Sequence, residues 1–410
     1  MSPIPTLTDL EAARAKVANE LSVDVLKGVD LHKTELALAR NFTSDTITYP
    51  TDGMIAYAMK ASRGDDVFKA DQCTVALEAH IAQITGKEAA LFCASGTMTN
   101  QLAIRTHLLS PPHSVLCDAR AHVHRNEAGG IAHHSQATTL PVMPENGHHL
   151  TVKDVKAAAI LSEDVHLAPT RLISLENTLN GTILPQDEIV AISQYARSSG
   201  IKMHLDGARI WNVAAETGAS LHELCEPFDS VSLCLSKGIG APIGSMLVGN
   251  REFISRARWF RKMFGGGWRQ SGYLAAAAAY ALTHNFPLLS GTHALARKLE
   301  AGLRDIGVGI LCSGTNMVFF DARSIGVNYD ELVKRALALP EPLYLGGSRL
   351  VIHYQTSEKA VNDLLDLIQV MANEKRAEGF VPGVLEQQPA DAYYPKMKEV
   401  FIRSGTKAVA

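Results

Sequence analysis

Short apolar runs, each ending on a residue with chemistry to offer and separated from the next by a helix-like stretch, most limit how this chain can fold. SVLCD (114–118), RLISLEN (171–177), KMHLDGA (202–208) and SVSLCLS (230–236) carry or lead into Asp118, Glu176, Asp206, Ser236 and Lys237. AALFCAS (89–95) is a further strand that runs into a turn at Ser95 and Gly96. Between the runs lie helical patterns such as VALEAHIAQITG, stopped by Gly86, and LPQDEIVAISQYARSSG, stopped by Gly200. Alternation of this kind demands crossover connections, so the expectation is an α/β fold with a mostly parallel, doubly wound sheet. Ligands in such sheets gather beyond the carboxyl ends of the strands, where the loaded residues fall.

After the alanine-rich stretch LAAAAAYAL (274–282) the rhythm changes to helix, strand (NMVFFDA), helix, strand (RLVIHYQ), helix. That reads as a smaller α+β C-terminal domain. The expected organisation is a helical extension over 1–40, a large domain over 41–285, a small domain over 286–375, and an extended tail over 376–410 holding Pro382, Pro389 and Pro395.

A net charge of −3 leaves no electrostatic case for nucleic acid or an anionic membrane, so small molecules and further copies of the chain are the expected partners. The longest small apolar stretch is better explained as a buried helix than as a membrane span. The N-terminus carries acidic residues and no apolar core, unlike a secretory signal. Six cysteines without CxxC spacing read as reduced thiols. Together these readings predict a cytoplasmic protein.

The central motif is SLCLSKGIGAPIG, where Lys237 directly follows an apolar strand and precedes Gly238 and Gly240. A lysine desolvated in this way can offer a neutral amine for imine formation, and the glycines let backbone approach a ligand closely. In HLDGAR (204–209), Asp206 ends a strand as a buried carboxylate in need of a partner. A protonated pyridine nitrogen would be one, although helix capping is the plainer alternative. Arg209 would then pair with a cofactor phosphate or a neighbouring carboxylate. ASGTMTN (94–100) is a strand-to-helix turn in which Ser95, Gly96 and Thr97 form a candidate phosphate cradle, distinct from both GKS/T and GxGxxG loops. His122 follows another strand, placed to stack on a flat ring. His124, His133 and His134 lie close by and together suggest a metal, but adjacent histidines seldom converge on one ion and no Cys or Asp completes a set, so none is expected. In RKMFGGGWRQSG (261–272), Lys262 and Arg269 flank a glycine bend suited to an anion. Arg349 opens a later strand with a planar fork for a carboxylate.

Taken together, SDT (44–46), GDDVF (64–68), FCASGTMTNQ (92–101), AHVHRNEAGG (121–130), SLENTLNG (174–181), HLDGARIWN (204–212), CLSKGIGAPIGS (234–245), RKMFGGGWRQSG and TNMVFF (315–320) resemble the L-threonine aldolase family, within the aspartate-aminotransferase-like group of pyridoxal-phosphate enzymes. The resemblance implies a Schiff-base lysine at Lys237, Asp206 at the pyridine nitrogen and His122 stacked on the ring. It implies Gly96, Thr97, Arg209 and Lys262 around the phosphate. Ser44, Arg209 and Arg349 would grip the substrate carboxylate, with Arg269 as another basic site position. It further implies a homodimer or homotetramer with sites built at subunit interfaces.

Several positions depart from the family pattern. Leu179 stands where many bacterial members have the histidine of ENTHN, though some fungal-type members resemble this chain there. Phe68 replaces a tyrosine, His124 an aromatic residue, and Thr43 an arginine. The reaction implied is cleavage of L-threonine or L-allo-threonine to glycine and acetaldehyde, with His122 or a water as the base. The alternative is racemisation of alanine, which needs no base at the β-hydroxyl and suits an apolar Leu179.

Overall fold

A computed structural model describes residues 7–381 apart from 24, 26, 28 and 29. The three prolines of the expected tail lie outside the described residues. Packing divides the chain into residues 1–37 and residues 38–410. The first unit carries the helix Leu7–Leu21, and a second helix, Leu31–Ala39, runs across the division.

Seven strands form the main sheet: β1 (Ala89–Cys93), β2 (Ser114–Asp118), β3 (Thr138–Val142), β4 (Thr170–Glu176), β5 (Lys202–Gly207), β6 (Ser230–Cys234) and β7 (Ser245–Gly249). Their order is β1-β7-β6-β5-β4-β2-β3. The strands from β6 through β5, β4 and β2 to β3 are parallel, whereas β7 runs antiparallel to both β6 and β1. The doubly wound α/β expectation is thus met, with one reversed strand. β2, β6 and β7 are buried at every position, as strands covered on both faces by helices must be.

Two of these strands are not legible as apolar runs. β3 is an edge strand, half exposed and interrupted by Pro141, which only an edge tolerates. β7 follows the glycine-rich segment so closely that it reads as part of a ligand loop.

The second sheet is antiparallel, in the order β10-β9-β8: β8 (Gly309–Gly314), β9 (Met317–Asp321) and β10 (Arg349–Val351). Helices Leu289–Ile306 and Glu358–Ala377 cover it, and Leu299, Leu303, Phe320, Leu350 and Leu364 share its core. β8 went unread because it is only half buried along its length and slips register between Ile310 and Cys312. β10 is shorter than RLVIHYQ: beyond Val351 the Ile352 amide turns to the Asn316 carbonyl. Phe42 joins this smaller core, and its backbone bonds to Tyr344 and Val351. The segment just before the SDT motif is therefore held by the small sheet.

The alanine-rich stretch is a buried helix, Gly272–Tyr280, as expected. No helix among the described residues is long and apolar enough to cross a membrane.

Candidate active site

Lys237 sits at the tip of the loop joining β6 to its antiparallel neighbour β7. Backbone bonds close this loop on itself: the Leu235 amide to the Gly244 carbonyl at 3.0 Å, Gly240 to Lys237 at 2.8 Å and Ala241 to Leu235 at 2.9 Å. Gly240 (φ +72°) and Gly244 (φ +115°) take left-handed conformations, and a Cβ on either would come within 2.5 Å of Tyr354 or Phe92. Both glycines are thus required by the turn. The Lys237 side chain is half buried, and among the described residues no hydrogen bond or ion pair holds its ammonium.

Asp206, on β5, lies directly opposite Glu176 on β4, so the buried Asp206 carboxyl and the partly buried Glu176 carboxyl project from one face at the carboxyl end of the sheet. The Asp206 oxygens accept from Asn100 Nδ2 at 2.8 Å and from the Ala208 amide at 3.1 Å. Glu176 accepts from the His122 amide at 2.8 Å. Burial and the neighbouring Asp206 charge push the Glu176 carboxyl up to about 8, so it holds a proton at neutral pH. His122 Nδ1 meets Glu127 Oε1 at 2.8 Å. Burial opposes charge on this imidazole, but the Glu127 bond and the Asp206 and Glu127 charges outweigh it and raise its pKa above the ordinary histidine value.

His122, Glu127 and Asp206 present donor atoms within 4.8 Å of one another. The expectation that no Cys or Asp completes a histidine set is therefore corrected: Asp206 arrives from β5, beside Glu127, which lies just after the helix of His122. Those donors already satisfy one another and Asn100, which accounts for the cluster without an ion.

The SDT segment lies between two arginines. Arg209 grips the fully buried Asp45 with two bonds, Nε to Oδ2 at 2.8 Å and Nη2 to Oδ1 at 2.7 Å. Burial alone would raise the Asp45 pKa; Arg209, with help from the Lys237 and Arg349 charges, instead holds it at about 2. Arg349 donates to the Thr43 carbonyl at 3.1 Å. The buried Ser44 hydroxyl caps the short helix Asp45–Ile47. Lys237, Arg209, Arg349 and Ser44 thus converge around one carboxylate.

Other expected residues lie apart. Phe68 is 78% exposed, Lys262 is exposed, and Arg269 pairs with Asp65 at 2.8 Å on the surface. No described contact ties these three to Lys237 or Asp206 of the same chain. His124 is exposed on the helix His122–Arg125, and Leu179 is buried in the tight turn after β4. Asp118 forms a buried ion pair with Arg120 at 2.7 Å and is structural. Asn100, Glu127 and Asp45 were not anticipated, and Glu176 only as a loaded strand end. The sole signal of Asn100, Glu127 and Asp45 is polarity at positions that prove buried.

Gly96 and Thr97 open the helix Gly96–His107, capped by Ser95 Oγ on the Met98 amide. Their own amides have no acceptor within the helix, and a Cβ on Gly96 would meet nothing within 4 Å. Open space, two amides with no acceptor among the described residues and the positive end of the helix suit an anion. Lys237 offers an amine for an aldehyde, and Asp206 an anion for a protonated ring nitrogen. Pyridoxal 5′-phosphate answers all three demands, and the fold with this fit defines a pyridoxal-phosphate enzyme of fold type I.

Comparison with known proteins narrows the class. The family model described as beta-eliminating lyase matches residues 41–324, and the chain belongs to that family. It is 44% identical to the probable low-specificity L-threonine aldolase of Schizosaccharomyces pombe, over 82% of this chain and 89% of that one. To the low specificity L-threonine aldolase of Saccharomyces cerevisiae it is 45% identical, over 83% and 87%. Identity to alanine racemase TOXG of Cochliobolus carbonum is 37%, over 80% and 86%. Among solved structures, Leishmania major threonine aldolase shares the fold, with a TM-score of 0.69, 20% identity and coverage of 81% and 99%.

Proposed function

We propose that the protein cleaves the Cα–Cβ bond of L-threonine or L-allo-threonine, releasing acetaldehyde and glycine. The observation that carries this reading is the convergence of Lys237, Arg209 and Arg349 on Asp45 beside the Asp206–Glu176 pair. It supplies an amine, a carboxylate clamp and buried acid–base groups in one place. The relatives named as threonine aldolases support it.

Bound pyridoxal phosphate supplies an electron sink for the charge left at Cα when the bond breaks. Asp206 holds the ring nitrogen, Lys237 anchors the aldehyde end, and Gly96 and Thr97 receive the phosphate. Arg209, Arg349 and Ser44 hold the substrate carboxylate. His122 directs Nδ1 at the Glu127 carboxylate, which leaves Nε2 of the neutral ring as the acceptor for a substrate proton. Glu176, protonated at neutral pH, stands beside it as a proton reserve. With Leu179 apolar, these two groups carry the acid–base work.

The surface positions Phe68, Lys262 and Arg269 complete a neighbouring site in a homodimer or homotetramer. Six free thiols fit a reducing, cytoplasmic setting.

Racemisation of alanine is the second reading, favoured by the buried Leu179 and the TOXG relative. The deciding test incubates the loaded protein separately with L-threonine and L-alanine. We expect acetaldehyde and glycine from threonine, lost in Lys237→Ala. D-Alanine formed faster than acetaldehyde would transfer the assignment to racemisation.

A further inference from the structure

Behind Asp206 runs a line of buried side chains whose proton positions can be worked out from their partners. Asn100 Nδ2 lies 2.8 Å from Asp206 Oδ2 and 2.8 Å from Glu127 Oε1. Both are carboxylate oxygens, so the amide must present its NH₂ to them and its oxygen away from them. That oxygen lies 3.1 Å from His204 Nε2, which must therefore carry a hydrogen.

Burial drives the His204 pKa down to about 3, so the ring is neutral and its Nδ1 is bare. Ser230 Oγ, 2.9 Å away, must donate to it. With its only hydrogen so placed, Ser230 Oγ can only accept from His107 Nε2, at 2.8 Å. Burial likewise lowers His107, to about 4. Every hydrogen in the line points towards Asp206.

Secondary structure explains the alignment. Asp206 and His204 lie two residues apart on one face of β5, and Ser230 on β6 is the register partner of His204. Asn100 and His107 lie two turns apart on the helix Gly96–His107, on the face that meets those strands.

We propose that Asn100 is a positioning residue that holds the Asp206 carboxyl aimed at the cofactor ring nitrogen, and that His204, Ser230 and His107 lock its amide in the donating orientation. This rests on Asp206 being the pyridine partner. The other titratable groups facing Asp206 are His122, Glu176 and Glu127, and all stay in place in the test variants.

The experiment measures pyridoxal-phosphate dissociation by equilibrium dialysis, and the absorbance of the bound cofactor against pH, for Asp206→Asn, Asn100→Ala, His204→Phe, His204→Gln and Ser230→Ala. Removing one enforced donor is expected to weaken retention about tenfold, the effect of one unmade buried hydrogen bond. Asn100→Ala, His204→Phe and Ser230→Ala should each do so and shift the absorbance titration, while His204→Gln, which keeps a donor for Asn100, should restore both. Ser230→Ala removes only one oxygen atom, so it carries the test if the phenylalanine variant fails to fold. Retention and titration unchanged in Ser230→Ala, with Asp206→Asn defective, would overturn the relay and leave the role of Asp206 intact. Unchanged behaviour in Asp206→Asn itself would overturn both.

Discussion

Asp45 shows how one side chain couples stability to the site. It is fully buried and ionised, held by the two-bond grip of Arg209. Because its folded pKa of about 2 lies below the ordinary 3.8, its contribution is complete above that ordinary value and disappears as pH falls through about 2. Asp45→Asn leaves Arg209 buried without its anion, a loss of about 3–5 kcal/mol near neutral pH. Denaturant unfolding should therefore show a deficit at pH 7 that shrinks towards pH 2, and KM for the amino acid should rise more than kcat falls. Glu176 behaves in the opposite sense. Its folded pKa of about 8 lies above the ordinary 4.5, so as pH rises from 4.5 to 8 the unfolded chain sheds a proton that the folded chain keeps. Stability of the cofactor-free protein should decline over that window, and Glu176→Gln should flatten the decline. An unaltered pH slope in the variant would mean that another group titrates there. Of these two carboxylates, only Glu176 drew notice in the sequence, as a strand end; nothing local marks Asp45 as buried.

At the scale of the element, the loop between β6 and β7 is the part of the fold most tightly specified by its residue types. SKGIGAPIG is legible as a lysine followed by permissive glycines, and the structure supplies the reason for two of them. Gly240 and Gly244 adopt positive φ and face Tyr354 and Phe92 at distances no Cβ could occupy. Gly240→Ala should destabilise the protein by about 1–3 kcal/mol, through backbone strain and the clash. Calorimetry should record a lower Tm, and reduced cofactor occupancy should accompany it because Lys237 sits three residues away. A variant with wild-type Tm would show that the loop can rearrange without strain. The strands that escaped the sequence reading failed for identifiable reasons: β3 is a half-exposed edge with a proline, and β8 breaks register. Neither shows the continuous apolar run that marks β2, β4, β5 and β6.

For the whole molecule, the distribution of the expected site residues is informative. Lys237, Asp206, His122, Arg209, Arg349 and Ser44 come from distant stretches and gather in one chain, whereas Phe68, Lys262 and Arg269 stay on its surface. The proposed sharing of sites between subunits would place the second group at a neighbouring chain's site. Mixed refolding of Lys237→Ala with Arg269→Ala chains should then recover activity that neither variant has alone, since half of the mixed dimer's sites pair two intact contributions. No recovery, with mixed oligomers demonstrated, would place Arg269 outside the site.

Local chemistry settled a good deal: the helix stops at Gly86 and Gly200, the strand ends that carry Asp206 and Lys237, and the change from a parallel sheet to a smaller α+β unit. Those properties depend on periodicity and on which residues tolerate a turn, and both are written in adjacent positions. Tertiary structure alone decided which polar side chains would be buried together. Glu176 came to face Asp206 through strand register, Asp45 came under Arg209 from 164 residues away, and Asn100 came between two carboxylates by helix packing. Proton positions and charge states follow from such encounters, because desolvation and Coulomb forces act on distances that no stretch of sequence contains.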